Sequence, residues 1–323
     1  MRRPTRGWPH VRAAIIGAML VAVPGNVAGG DAARVDFRPQ QQSVVVTIGG
    51  QPVATYTYRD DEIHRPYFAH LKGPHGIQVS RNFPPIEGQD LTDHPLYHPG
   101  LWMAFGDISG SDYWRNKAHV IHDRFLQKPS AEKDQGGFAV RNRYMAQDDP
   151  SRVVCQEDCV FQFAVRPAGY LITWDSTFQS DHAFAFGDQE EMGLGVRVAS
   201  PIRVEAGGTI VDARGRKNED EVWGNSAAWC DYRGPLAGYL AGMTIMAHPS
   251  NFRASWYHSR DYGFLAANPF GRHAFDKGPP SSVVVEPGDS LRLRFGVLLH
   301  VGPAGRPPNL KAAYDDYIRF SGE

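Results

Sequence analysis

Between Gln42 and Tyr58 the chain reads SVVVTIGGQPVATYTY, two runs of β-branched and aromatic residues on either side of Gly49-Gly50. That pattern predicts a hairpin, because paired glycines supply the positive φ of a tight turn. Comparable runs recur at Phe138–Tyr144, Val153–Val165, Tyr170–Gln179, Gly193–Ala199, Tyr239–Ala247, Gly263–Asn268, Ser282–Val285 and Ser290–His300, each bounded by Gly, Pro, Asn or Asp. Helical spacing belongs to Leu310–Phe320, where Leu310, Ala313, Tyr314, Tyr317 and Ile318 share one face. Strands without alternating helices argue against a doubly wound sheet. The fold class predicted is all-β, a large antiparallel β-sandwich with a short C-terminal helix.

The first 30 residues stand apart. Arg2, Arg3, Arg6 and Arg12 precede the apolar run AAIIGAMLVAV, then Pro24-Gly25 and the small residues Ala28, Gly29 and Gly30. This is the order of a bacterial-type secretory signal, so residues 1–30 are expected to be cleaved and 31–323 to form a single periplasmic or secreted domain. The apolar run is well short of the roughly 20 residues that span a bilayer, and no Cys follows it to take a lipid. N-terminal sequencing of exported protein should begin near Asp31; an intact Met1 would contradict the assignment.

Charge narrows the partners. Lys+Arg number 34 and Asp+Glu 35, with no basic block, which argues against nucleic acid and anionic lipid. A neutral or modestly charged ligand is expected, and the mean hydropathy of -0.40 is that of a soluble protein. Cys155 and Cys159 flank QED and admit either a small disulfide loop, leaving Cys230 unpaired, or a metal site without a second Cys/His pair. Asp212–Glu221, DARGRKNEDE, reads as a solvated loop, with a lid as the alternative.

Four segments mix imidazoles, acids and aromatics. RPYFAHLKGPHG carries His70 and His75, and DHPLYHPGLWMAFGDISGSDYWRN carries His94, His98, Trp102, Asp107, Trp114 and Arg115. His94 and His98 have i, i+4 spacing, but Pro95 and Pro99 exclude a regular helix, so they must converge through a turn. GDQEEMGLGVRV offers Glu190 and Glu191, of which at most one enters a pocket, since strand neighbours point to opposite faces. HPSNFRASWYHSRDYGFLAAN gathers His248, Asn251, Trp256, His258 and Asn268. Carboxylate opposite histidine is the pairing that moves protons, and Trp faces pack on sugar C–H groups. The catalytic candidates are therefore His94, His98, Glu191 and His258. His70, Trp102, Asp107, Trp114, Arg115, His248, Asn251, Trp256 and Asn268 are candidates for binding substrate. No cofactor is expected; a divalent metal stays open, because histidines are plentiful but no HxH or HExxH fixes the ligands.

The segments DHPLYHPGLWMAFGDISGSDYWRNKA, GDQEEMGLGVRVA, EVWGNSAAWCDY and HPSNFRASWYHSRDYGFLAANPFG resemble an exported bacterial family of unknown function labelled PmoA-like. Tyr97 stands where that family commonly has His. The label's methane oxidation does not suit a chain without a multi-span membrane pattern. The resemblance implies the company of sugar-active proteins, and the expected sandwich resembles the galactose mutarotase supersandwich. A carbohydrate-active enzyme (hydrolase, lyase or epimerase) is the leading expectation, with a carbohydrate-binding protein and a metal-dependent oxygenase as alternatives. The glycan and the oligomeric state are left open.

Overall fold

Alternating β-branched and aromatic residues build two large antiparallel sheets in the computed structural model, which describes residues 34–322; the basic and apolar leader lies outside the described residues. One sheet has nine strands, in spatial order Val35–Pro39, Ser43–Ile48, Gln51–Thr57, Tyr67–Ala69, Leu101–Phe105, Met192–Arg197, Phe264–Asn268, Trp256–Arg260 and Asn225–Ser226. The other has eight: Thr209–Asp212, Trp229–Leu236, Tyr239–Ala247, Ser290–Pro303, Gly169–Gln179, Val153–Arg166, Gln135–Met145 and Val120–Glu132. A short pair, Phe184–Phe186 with Val283–Val285, lies outside both. The first hairpin turns at Gly49 and Gly50, both at positive φ as the turn requires. Among the described residues no helix is long and apolar enough to cross a membrane.

The core lies between the sheets. Leu101, Met103, Phe105, Leu194, Val196 and Leu265 from one meet Val140, Phe161, Phe163, Ile245 and Val297 from the other. Each such side chain stabilises the fold by about 1.5–3 kcal/mol on leaving water. The helix Leu310–Ser321, capped by the Asn309 side chain on Ala312 N–H, covers the opposite face of the eight-stranded sheet through Leu310 and Tyr317.

Three expectations are revised. Cys155 and Cys159 sit on one strand, both buried and both free. Four residues of extended chain span about 13 Å, beyond the roughly 7 Å limit for a disulfide. Asp212–Glu221 is not a solvated loop throughout: Asp212 is buried against Arg216, and Asn218–Val222 forms a short helix. Leu101–Phe105 and Trp256–Arg260, within segments rich in Pro, Gly and polar residues, are strands of the nine-stranded sheet.

One acid lies inside the core. Glu157 accepts hydrogen bonds from Asn142, Tyr144 and Ser176, and burial raises its carboxyl above the ordinary range despite those donors. A carboxyl raised in the folded state gives stability that is full below its unfolded pKa and is lost as pH rises through the folded value. Glu157→Gln is therefore expected to gain stability over the native chain as pH rises from 5 to 9. Thermal midpoints at the two extremes check this; a pH-independent difference would contradict it.

Candidate functional site

Strand register sets out a row of side chains on the nine-stranded sheet's outer face, the one turned away from the core. Trp102 pairs with Gly195, Gly195 with Ala266, and Ala266 with His258, placing all four at one level. The next level holds Arg197, Phe264 and Arg260. Gly195 is small because the Trp102 ring lies on it: an added Cβ would sit 2.8 Å from the indole. Glycine and alanine thus make room for the aromatic rings that cover this level between Trp102 and His258.

At the Trp102 end, the Asp93–His98 turn folds over this level. His94 adopts φ 48°, and its carbonyl accepts from Tyr97 and His98 N–H, which is how a segment with two prolines brings both imidazoles together. Their rings stack at 4.8 Å, and His98 stacks in turn on Phe264 at 4.7 Å and Trp102 at 5.0 Å. Asp93 accepts from Arg197 at 2.6 and 2.9 Å and contacts His94 Nδ1 at 2.8 Å. Burial alone would raise the Asp93 carboxyl, but His94 and Arg197 together hold it below its usual value. His98 is held well below the usual imidazole range by burial, with Arg197, His94 and Arg81 adding to the effect. His98 is thus a neutral ring, and His94 is the exposed member of the turn.

Asp93, His94 and His98 each offer a ligand atom within 4.8 Å of the others. The set does not suit a divalent cation. Arg197 occupies both Asp93 oxygens and stands 3.3 Å from His98 Nδ1, and Arg81 lies 3.5 Å from the same carboxylate. Two guanidinium charges at the ligand atoms would oppose a third positive charge.

At the second end, His258 Nδ1 lies 3.3 Å from the Glu190 carbonyl and Nε2 lies 3.3 Å from Glu190 Oε2. A carbonyl only accepts, so the Nδ1 position carries the proton and Nε2 turns its lone pair to the carboxyl. Burial pushes His258 down to about 3, with Arg260 adding to the shift, and raises Glu190, with Glu191 adding and Arg260 opposing. Phe264 links the two ends, stacked on His98 and edge-on to His258 at 4.9 Å. Trp223 and Phe275 flank this end: Arg260 lies over the Trp223 ring at 5.8 Å, and Phe275 is 6.0 Å from His258.

The candidates of the sequence divide. His94, His98, Trp102, Trp114, Phe264 and His258 share this face. Trp102 and Trp114 are buried there, so neither offers a ring face to a ligand; they support His98 instead. Glu191 turns to Arg115, 2.6 Å away, and its neighbour Glu190 meets His258. Asn268 is fully committed to backbone, donating to Gln189 and Glu190 carbonyls and accepting from Phe270 and Gly271 N–H. It positions Glu190 and has no group left for substrate. Asn268→Asp turns a carboxylate on two carbonyls and is expected to cost about 2–4 kcal/mol; an unchanged urea midpoint would contradict this role.

His248 and Asn251 lie elsewhere, bound to Ser250 and to the Arg294 backbone of the eight-stranded sheet. His70 is exposed and bonds the Phe83 carbonyl, and Asp107 caps the turn at Gly110. Trp256 is half-buried beside Arg253, with its ring 6.4 Å from Phe275. Arg197, Trp223 and Tyr262 were not singled out from the sequence, and Glu190 was offered there beside Glu191 without being chosen. The alternation Gly193, Gly195, Arg197 in GLGVRV was a usable sign, since a glycine in a strand marks a place where another group approaches closely, here the Trp102 ring on Gly195.

No curated protein matches the chain. Among solved structures it is similar to a galactose mutarotase-like protein from Lactobacillus casei, at 10% identity and TM-score 0.37, covering 82% of this chain and 100% of that one. It is similar to a putative kojibiose phosphorylase from human microbiome at 7% identity and TM-score 0.35, covering 88% of this chain but 32% of that one. A GH36 alpha-galactosidase from Geobacillus stearothermophilus is 9% identical with TM-score 0.37, over 83% of this chain and 41% of its own. The chain thus spans well under half the length of these last two. Likeness at this level bears on neither activity nor ligand. Residues 43–314 match the family of unknown function DUF6807, and the chain belongs to that family.

Proposed function

We propose that this is an exported carbohydrate-active enzyme whose proton-transfer centre is the Glu190–His258 pair, with His94 as a second exchangeable group. The observation that carries the reading is the contact between a neutral imidazole and a carboxyl raised by burial, whose side chain is about one-third exposed. Burial moves the Glu190 carboxyl upward, the direction a general acid needs. Trp223 and Trp256 at this end are part-exposed and supply ring surface of the kind sugars pack on, with the buried Phe275 behind them.

The same rings support a second reading, a carbohydrate-binding protein without catalysis. A thermal-shift screen of the secreted chain against neutral and acidic oligosaccharides separates sugar ligands from others, because a ligand of the folded state raises the melting temperature. Product analysis on the strongest hit then separates the two readings. A bound sugar left unchanged over days favours binding alone, and no shift with any sugar contradicts both.

A further inference from the structure

We infer that the ligand is an acidic oligosaccharide whose unit beside Trp256 carries a carboxylate or sulfate held by Arg253, with Lys277 assisting; the inference rests on the carbohydrate reading above and names the class of sugar. Trp256 and His258 are two residues apart on one strand, so both leave the same face, roughly 7 Å apart along it. Phe275 lies beside both, its ring 6.4 Å from Trp256 and 6.0 Å from His258. A group at Trp256 therefore addresses the unit next to the one at Glu190.

Arg253 is half-buried, with its guanidinium 5.5 Å from the Trp256 ring centre and 5.3 Å from that of Phe252. The rings hold the cation without neutralising it. One of its five N–H groups bonds the Pro269 carbonyl at 3.3 Å, and no carboxylate pairs with it among the described residues. Arg272, whose charge reaches Arg253, donates to the carbonyls of Pro279 and Pro280 and also has no carboxylate partner there. Lys277, exposed in the same loop, has its ammonium 3.4 Å from Asn225 Oδ1 and no acid beside it. A guanidinium laid on aromatic faces keeps its edge N–H groups for the two oxygens of an oxyanion.

The acids nearby are engaged or placed elsewhere. Asp188, which opposes the charge on Arg253, accepts from the N–H groups of His273, Ala274 and Ser281 and from the Ser281 hydroxyl. Glu219 and Glu191 pair with Arg260 and Arg115. Asp276 is exposed and acts on Glu190, raising it, rather than on Arg253. Glu190 in its working, protonated form adds no like charge.

Matched probes test this. Isothermal titration of the protein compares galactotriose, cellotriose and mannotriose with trigalacturonate, triglucuronate and trimannuronate, with the methyl esters of these acids, and with the sulfated neutral trioses. At least one acid is expected to bind about tenfold or more tighter than its ester and its neutral counterpart, and to lose that lead as salt rises. The uronate and sulfate arms identify the oxyanion. Arg253→Gln should weaken binding of the acid by about tenfold and of the neutral triose by less than about threefold. Lys277→Gln, at an exposed position that leaves the fold intact, should weaken the acid by about twofold or more. Neutral sugars that bind as tightly as their acids, or acid binding that survives both substitutions, overturn the inference and leave the carbohydrate reading standing. Binding of no probe overturns both.

Discussion

Arg197→Met is expected to destabilise the domain by about 1.5–3 kcal/mol, the worth of hydrogen bonds to a charged group, and to lower the melting temperature by about 3–6 °C, since Asp93 is part-exposed and keeps His94 and Arg81. Arg197 is 1% exposed, binds both oxygens of Asp93, approaches His98 Nδ1 and lies over the Tyr262 ring at 4.6 Å. It ties the His94–His98 turn to the strand Met192–Arg197, so its loss releases the turn as well as the charge. Adding Asp93→Asn should recover part of the loss, since the carboxylate left short of a partner is then gone. Thermal melts of the native chain, both single variants and the double variant form the cycle that measures this. Additive losses would show that the pair does not act as a unit.

Glu190→Gln is expected to lower turnover on the substrate by about 100-fold to 10,000-fold, the usual contribution of a positioned acid or base. The melting temperature should move by less than about 2 °C, because glutamine keeps the shape and can turn either its oxygen to Arg260 or its amide N–H to His258 Nε2, the two contacts that share Glu190 Oε2. The native enzyme should lose activity as pH rises through the raised Glu190 value, since the acid form is the working one. Glu191→Gln should disturb catalysis far less, as that side chain faces Arg115. A Glu190→Gln protein that retains most of its activity would remove Glu190 from the chemistry.

The fold was legible where one face of a strand meets solvent or a small side chain. Ser43–Ile48, Tyr170–Gln179 and Ser290–His300 announce themselves by β-branched alternation, and Leu310–Phe320 by its helical stripe. Leu101–Phe105 was hidden because all five residues are buried, Leu101, Met103 and Phe105 in the core and Trp102 and Ala104 beneath the His98 turn. A strand covered on both sides loses its period of two. Trp256–Arg260 was hidden by its polar residues: His258 and Arg260 face the site and Ser259 faces inward.

The sequence marked the site's segments without marking its members. His94, His98 and His258 were recognisable as imidazoles among acids. The choice between Glu190 and Glu191 depends on the backbone entering the next strand, where Gly193 takes φ 97° and Asn268 holds the Gln189 and Glu190 carbonyls. Neither constraint is visible in a run of two glutamates. Trp102 and Trp114 look like sugar platforms in sequence, and only packing against His98 and Phe264 shows them to be support.

The central claim is that the outer face of the nine-stranded sheet holds a sugar against Glu190 and His258. A crystal structure of the protein soaked with the oligosaccharide giving the largest thermal shift tests it most directly. The expected result is a sugar ring beside the part-exposed Glu190 side chain, with a hydroxyl or glycosidic oxygen within about 3.2 Å of a Glu190 carboxyl oxygen. A sugar bound only on the eight-stranded sheet, with Glu190 and His258 untouched, would contradict it.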